Sequence, residues 1–253
     1  MKQALAVLGA VSLCTLAPAA PAQTQGGNLA QIFFNKVKPG SQAQYEAGRQ
    51  RHMNWHKAKG DSWAWFTWEV VTGENTGIYV VGTFYHAFKD LDGREDFQAA
   101  DGADAAMNMG PFLESSTQSL YLRRPDMSAP TTEGPPTKFS QLIHFHLKPE
   151  SVNDFVDGAK KVAEAAKKTN YPIRPDWYQL FSGGMGPEFV LVYGRNSWAE
   201  MQPPDKTLDA MMEEALGKAA GPAVLVSLRR AIRYTYTEIL AYHPELSYVP
   251  AAK

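Results

Sequence analysis

The chain has 253 residues, of which 44% are hydrophobic and 20% are charged, and this composition excludes general disorder. Lys and Arg number 25 against 26 Asp and Glu, which gives a formal net charge of −1. Such a balance provides no electrostatic basis for binding nucleic acid or an anionic membrane surface, and we expect neither partner.

The N-terminal segment has the pattern of a secretory signal peptide. A basic start at Lys2 precedes the apolar run 4–17 and the sequence Ala20-Pro21-Ala22, which matches a small-residue cleavage site. We expect residues 1–22 to be removed and the mature protein to be periplasmic or secreted, without a membrane anchor. The only cysteine, Cys14, lies in this segment, so the mature chain would form no disulfide and no thiolate metal site.

The remaining chain contains an internal repeat. Residues 31–39 parallel residues 141–149 at an offset of 141 − 31 = 110, and the same offset pairs Gly73 with Gly183. The polar, Pro-rich residues 129–137 between the copies are typical of a linker. We therefore divide the chain into a first module at 29–128 and a second module at 138–250.

Both modules have the same predicted order of elements. Apolar runs at 32–37 and 142–147 predict first strands, and helical patterns follow at 41–59 and 152–168. Strands at 63–71 and 78–85, and at 177–181 and 189–193, flank Gly-rich hairpin turns. Helical regions at 95–109 and 205–219 should end at Gly110-Pro111 and Gly221-Pro222, before final strands at 119–123 and 233–240. This βαββαβ order is ferredoxin-like.

With this repeat and element order, the chain resembles the dimeric α+β barrel superfamily over roughly residues 29–250, as a fused tandem pair. The resemblance implies an α+β fold in which two ferredoxin-like modules pack sheet to sheet as a pseudo-dimeric α/β barrel. Members include antibiotic-biosynthesis-type and haem-degrading monooxygenases. The resemblance therefore implies a monooxygenase-like oxidation of a flat aromatic compound or of haem, with either no cofactor or haem.

The two modules differ on one face of their first helices. At 100° per residue, the second module has an apolar stripe where the first module has mostly polar groups. Burying polar groups without partners costs about 1–3 kcal/mol each. The stripe should therefore line a cavity in the first module, or its members should satisfy one another. The first-module stripe comprises Gln42, Tyr45, Arg49, His52, Met53 and His56, opposite Val152, Phe155, Ala159, Val162, Ala163 and Ala166.

His52 and His56 are spaced i, i+4, so both imidazoles project from one helix face. This spacing suits a shared metal ion, a haem iron or an acid–base pair. It is equally compatible with imidazoles that bond to the backbone or to Arg49, and with a solvated stripe.

The first and second strands supply further candidates. Asn35 should face the histidine stripe, and the resemblance implies a site between helix and sheet that uses Asn, Trp and His groups. Asn35 and Arg49 would orient a substrate and its developing oxyanion, His52 or His56 would act as base or axial ligand, and Trp65 would stack on the ring. The candidate catalytic residues are thus Asn35, Arg49, His52 and His56, and the candidate substrate-binding residues are Tyr45, Trp63 and Trp65.

His144 and His146 lie on the other strand face and should line the interior between the sheets. No carboxylate is evident beside them in the sequence, so hydrogen-bonded structural histidines are favoured over a metal site. The competing interpretation of the whole protein is a non-catalytic periplasmic carrier or interaction module for a small apolar or aromatic molecule. The protein could act as a monomer or a homodimer, because the duplication already supplies two sheets.

Export can be tested directly. Expression of the full chain in a Gram-negative host should release a periplasmic protein that begins at Gln23, which N-terminal sequencing and intact-mass measurement would show. Ala22→Asp should retain the precursor, because the cleavage site needs a small residue. A wild-type protein that keeps residues 1–22 would contradict the prediction.

Overall fold

The computed structural model describes residues 27–130 and 135–251 of the chain. The predicted signal peptide with Cys14 lies outside the described residues, and the predicted linker is described only in part. The strands are β1 (Leu29–Val37), β2 (Phe66–Thr72), β3 (Ile78–His86), β4 (Leu113–Arg123), β5 (Phe139–Leu147), β6 (Asp176–Ser182), β7 (Glu188–Arg195) and β8 (Ile232–Tyr242). The helices are α1 (Gln42–Lys59), α2 (Phe88–Asp92), α3 (Glu95–Asn108), α4 (Val152–Lys168), α5 (Leu208–Leu216) and α6 (Ala220–Ala231).

The eight strands form a closed antiparallel barrel in the order β1-β3-β2-β8-β5-β7-β6-β4. Each repeat contributes four consecutive strands of this order, and the pairs β2–β8 and β4–β6 join the two sheets. The predicted α+β fold of two ferredoxin-like modules that form a pseudo-dimeric barrel is confirmed. Closure within one chain pairs both edges of each of the eight described strands.

One predicted helix boundary is wrong. Gly110-Pro111 follows the end of α3, as expected, but Gly221-Pro222 lies in the first turn of α6. Proline is tolerated there because the first N–H groups of a helix have no intrahelical acceptor. The region predicted as one helix at 205–219 is α5, and the second module gains α6, which packs on α4.

Side chains alternate between two layers along each strand, as the period of a β-strand requires. On β5, Ile143 and Phe145 pack outward against α4, whereas Leu142 and His144 face the barrel interior. On β2, Thr67 faces outward and accepts a hydrogen bond from Arg49 of α1, whereas Trp68 faces the interior. Within residues 27–130 and 135–251, helix–sheet layers therefore lie outside the barrel on both modules, and a cavity that reaches the surface lies within it.

A close contact between α1 and α3 positions the polar side chains that lie between these helices and the sheet of the first module. Gly48 of α1 lies so near α3 that a Cβ built there would be 2.1 Å from the carbonyl oxygen of Asn108. Only glycine allows this contact without a shift of backbone. The contact fixes the distance between the histidines of α1 and the carboxylates of α3.

The described residues include no helix with the length and apolar character needed to cross a membrane.

The apolar layer of the second module should dominate its stability. Phe155 is fully buried against Trp177 and Phe189, with ring centroids 5.7 and 5.3 Å away. We expect Phe155→Ala to lower the free energy of unfolding by about 3–5 kcal/mol. Phe181→Ala is the matched control, because Phe181 is 56% exposed, and should cost about 1 kcal/mol or less. Urea denaturation followed by circular dichroism measures both, and equal losses would contradict this assignment of the core.

Candidate functional site

The polar stripe of α1 faces the protein interior except at Gln42, which is exposed. Tyr45, Arg49, His52, Met53 and His56 are all buried, and the two histidines are only 3% and 1% exposed. The interpretation of a solvated stripe is therefore wrong. The apolar stripe of α4 occupies the corresponding layer of the second module. The two modules thus bury chemically different helix faces against equivalent sheets.

Three side-chain atoms that could each bind a metal ion lie close together between α1 and α3. The Nε2 atoms of His52 and His56 are 3.3 Å apart, and Asp101 Oδ1 lies 3.2 Å from the first and 3.1 Å from the second. They form a nearly equilateral triangle. Among the described residues, His52, His56 and Asp101 are the one such group with spacing suited to a metal ion.

Each imidazole is held from behind by another carboxylate. His52 Nδ1 lies 2.7 Å from Asp104 Oδ1, and His56 Nδ1 lies 2.8 Å from Asp61 Oδ2. With the Nδ1–H groups donating to these carboxylates, both Nε2 lone pairs point at the centre of the triangle. Carboxylates in this position orient histidine ligands and increase their basicity in metal sites.

The three atoms of the triangle need a proton or a cation between them. Asp101 Oδ1 is buried and has no partner in hydrogen-bond geometry among the described residues. Burial raises the pKa of Asp101, but the nearby imidazoles more than offset this and hold the pKa well below its usual range. Burial lowers the pKa of His56, whereas Asp101 and Asp61 raise it by more, so the net shift is upward. A proton or a metal ion would each place positive charge between these atoms.

Asp61 is the anchor of the outer shell. The helix α1 ends at Gly60, whose left-handed conformation (φ 63°) turns the chain so that the Asp61 side chain reaches back to His56. Asp61 also accepts hydrogen bonds from Arg94 at 2.7 Å, from Trp65 Nε1 at 3.0 Å and from the Trp63 backbone N–H at 3.0 Å. Burial opposes ionisation of Asp61, but these bonds lower its pKa far below the ordinary value.

Aromatic rings surround the triangle. Trp55 stacks on His52 at 5.9 Å and contacts Phe97 at 5.2 Å. Tyr248 stacks on His56 at 5.9 Å. Trp55 and Phe97 are only half-buried, and the Asp101 side chain is 20% exposed. The triangle is therefore nearest to solvent on the side where these three residues lie.

The other candidate residues lie in the same layer but make different contacts. Asn35 faces α1, as expected, where it donates to Tyr45 at 3.1 Å and accepts from Ser116 at 2.7 Å. Arg49 Nε lies 3.2 Å from both Thr67 Oγ1 and the Leu246 carbonyl oxygen. Burial lowers the pKa of Arg49 to about 10. No hydrogen bond joins Asn35 or Arg49 to either imidazole in the part of the chain that the structure describes.

The two candidate tryptophans belong to the support of the site. Trp65 donates to Asp61, and its ring is tilted toward His56 at 5.5 Å. Trp63 stacks on His86 with a centroid distance of 3.5 Å, and Arg94 covers its ring at 4.1 Å. Both rings are less than 10% exposed, so neither offers an open face for stacking.

Haem does not fit the histidine pair. An iron bound at either Nε2 would need a flat open slot beside that atom for the macrocycle. Instead, each Nε2 faces the other at 3.3 Å and Asp101 at 3.1–3.2 Å, in a layer enclosed by α1 and α3. The haem alternative is therefore not supported at His52 or His56, whereas a single small ion is compatible with the spacing.

The histidines of the second module face the barrel interior, as expected. However, carboxylates lie beside them, which the sequence did not reveal. His144 Nδ1 is 2.7 Å from Glu188, and its Nε2 is 3.7 Å from Glu238. His146 Nε2 is 3.8 Å from Glu188. These partners come from β7 and β8, far from β5 in the chain, so only the barrel register brings them together.

Four charged residues of the first-module site were not among the sequence candidates. They are Asp61, Arg94, Asp101 and Asp104. The sequence did contain one signal, because Asp101 and Asp104 are spaced i, i+3 on a predicted helix and therefore share a face. Their convergence with His52 and His56 depends on how α3 packs on α1, which no local pattern specifies.

The comparisons with known proteins concern the fold. Neither a protein-family model nor a curated protein sequence matches the chain. A proposed monooxygenase from Fusobacterium nucleatum superposes with a TM-score of 0.57 at 9% identity, covering 90% of this chain and 97% of that one. The protein has the dimeric α+β barrel fold. A proposed monooxygenase from Lactobacillus acidophilus (TM-score 0.53, 9% identity, 90% and 98% covered) and a mutant chlorite dismutase from Candidatus Nitrospira defluvii (0.52, 9%, 87% and 93%) are also similar.

The Asp61 network should be a large contributor to stability. Asp61→Asn keeps the shape of the side chain but leaves Arg94 and His56 without their buried counter-charge. We expect it to lower the free energy of unfolding by about 3–5 kcal/mol. The control is Glu114→Gln, which breaks the exposed pair with Lys36 (2.8 Å) and should cost less than about 1 kcal/mol. Guanidinium denaturation would decide, and a loss below 1 kcal/mol for Asp61→Asn would contradict the role assigned to it.

Proposed function

We propose that the protein is an exported, metal-dependent enzyme that oxidises a flat aromatic compound in a monooxygenase-like reaction. The metal ion would be held by His52, His56 and Asp101. The observation that carries this proposal is the triangle of three donor atoms with separations of 3.1–3.3 Å, each imidazole being braced by a carboxylate.

The spacing favours a metal ion over a proton as the source of positive charge. Ligand atoms bound at about 2.1 Å to one ion, with angles of roughly 95–105°, lie about 3.1–3.3 Å apart. A single proton can bridge only one pair of the three atoms and would leave the third lone pair buried and unsatisfied. The carboxylates of Asp104 and Asp61 would keep both histidines in the tautomer that a metal requires.

Two histidines and one carboxylate on one face of an ion are the ligand set of non-haem iron oxygenases, in which the opposite positions stay open for dioxygen and substrate. Aromatic residues of this chain would bind the substrate ring beside the ion. Trp55 and Phe97 contact each other at 5.2 Å on the solvent side of the triangle, and in this proposal their outer, half-exposed faces stack on a flat ring. The fold shared with the proposed monooxygenases supports this kind of reaction.

The proposed substrate class is an electron-rich quinol. One quinol and one O2 would give one hydroxyquinone and one water. One oxygen atom enters the ring as the new hydroxyl group, the other leaves as water, and the quinol supplies all four electrons. No external reductant is then needed. In this proposal Asn35, Tyr45 and Arg49 act as supports that fix α1 on the sheet, and Trp65 positions Asp61.

Metal titration tests the site independently of any activity. The mature protein, stripped with a chelator, should bind one Fe(II) or Zn(II) per chain in calorimetry. His56→Gln and Asp101→Asn should abolish binding, because each removes a ligand, and Asp104→Asn should weaken it about 10–100-fold. His243→Gln is the matched control, since this histidine pairs with Glu245 outside the triangle and should leave the affinity unchanged.

The metal proposal would be overturned by a wild-type protein that binds no divalent ion, or by His56→Gln protein with wild-type affinity. If metal binds, oxygen uptake with quinols by the Fe(II) protein tests the reaction itself. Uptake should disappear in Asp101→Asn. Metal binding without uptake would reject the oxidation while retaining the site.

The non-catalytic carrier remains the second candidate, because a separate cavity lies inside the barrel. A carrier would bind a small apolar molecule whether or not metal is present, and would show no oxygen uptake.

Closure of the barrel within one chain supports a complete monomer.

A further inference from the structure

A cavity of about 940 Å³ extends from the interior of the closed barrel to exposed residues such as Pro172 and Asn196 at its rim, and it is separate from the proposed metal centre. An eight-stranded barrel is normally filled by side chains or just wide enough for one small ligand. Here the inward side chains leave space on the scale of small-molecule sites. The sheet separates the two places, because Thr67 and Trp68 are neighbours on β2 and face opposite sides.

Most of the cavity wall is hydrocarbon. Aromatic and aliphatic side chains from all four strands of the first module and several of the second contribute to it. They include Ile32, Phe34, Phe66, Trp68, Val80, Phe84, Tyr121, Leu142, Val190 and Leu240. An apolar molecule bound here would bury this hydrocarbon wall from water and so stabilise the folded protein.

The indole N–H of Trp68 is a buried donor in this wall that has no acceptor among the described residues. Trp68 is 7% exposed, and its Nε1–H makes no hydrogen bond within residues 27–130 and 135–251. Its surroundings are the rings of Phe66, Phe84 and Tyr242 at 5.8–6.0 Å. Buried indole N–H groups usually have a partner, because leaving one unpaired costs about 1–3 kcal/mol. The missing partner is an acceptor, since the indole N–H can only donate.

The charges in the wall select against anions. Glu188, Glu238 and Asp176 line or adjoin the cavity, and its buried cationic groups are already engaged: Arg123 lies 2.7 Å from Asp176, and His144 lies 2.7 Å from Glu188. Arg174 and Arg195 also line the cavity, but the first is exposed and the second half-buried, and they donate to the Pro130 carbonyl oxygen and to Gln141. An anionic group among the buried residues of the wall would meet carboxylates whose cationic partners are already paired, at a large cost. The acceptor oxygen therefore belongs to an uncharged molecule.

We propose that the barrel interior binds a neutral, mainly hydrocarbon molecule whose carbonyl oxygen accepts a hydrogen bond from Trp68 Nε1. The apolar body lies among Phe34, Phe84 and Leu142. This inference goes beyond the proposed metal centre and does not depend on it.

Benzophenone and diphenylmethane form a matched pair of probes, because they share a skeleton and differ by the carbonyl oxygen. Calorimetry with the wild-type protein should show one benzophenone site per chain and weaker binding of diphenylmethane. Trp68→Phe should weaken benzophenone about tenfold and leave diphenylmethane unchanged, because only the ketone uses the N–H. The anion 2-benzoylbenzoate should not bind.

Two controls separate this site from the rest of the molecule. Trp198→Phe removes a tryptophan that is 55% exposed and should leave binding unchanged. Asp101→Asn should also leave it unchanged, so failure of the metal proposal would be visible separately. Thermal unfolding should show that Trp68→Phe is folded.

Irradiation of bound benzophenone locates it, because the excited ketone forms covalent adducts with neighbouring C–H bonds. Adducts are expected on inward residues such as Leu142 and Leu240. Absence of benzophenone binding, or adducts confined to exposed Met107 and Met185, would overturn the proposal. Equal affinity in Trp68→Phe would also overturn it and would assign the indole N–H to the face of Phe84.

Discussion

The convergence of two imidazoles and a carboxylate in a buried layer is the constraint on which the first module depends. Three electron-pair donors cannot share so small a space without a proton or a cation between them. Asp61 and Asp104 fix the imidazoles, and Arg94 with two tryptophans fixes Asp61 in turn. The close helix contact at Gly48 sets the position of Asp101 relative to α1. Many of the buried polar residues of the first module therefore position the triangle of His52, His56 and Asp101.

Most of the fold could be predicted from the sequence, because the repeat and the strand periodicity can be recognised without knowledge of the tertiary structure. The pairing of the two sheets followed from the need to cover both apolar faces. The start of α6 was missed because a Gly-Pro pair is compatible with either end of a helix, and only the packing of α6 on α4 decides which.

The site was predictable only in part, and for a physical reason. The i, i+4 histidines and the contrast between the modules identified α1, since both are visible in one helix. Asp101 lies 45 residues after His56, and its approach depends on the angle between two helices. Likewise, Glu188 and Glu238 reach His144 through strand register. Sequence patterns specify which face a residue occupies, whereas tertiary packing specifies what it meets.

The union of both sheets in a single chain has an evolutionary consequence. In a symmetric homodimer every substitution occurs twice, so a costly polar cluster must be tolerated in both subunits at once. A duplicated chain escapes this restriction, because each copy accumulates its changes independently. One half could thus specialise in chemistry while its sister, built around Phe155, preserved the folding stability that both require.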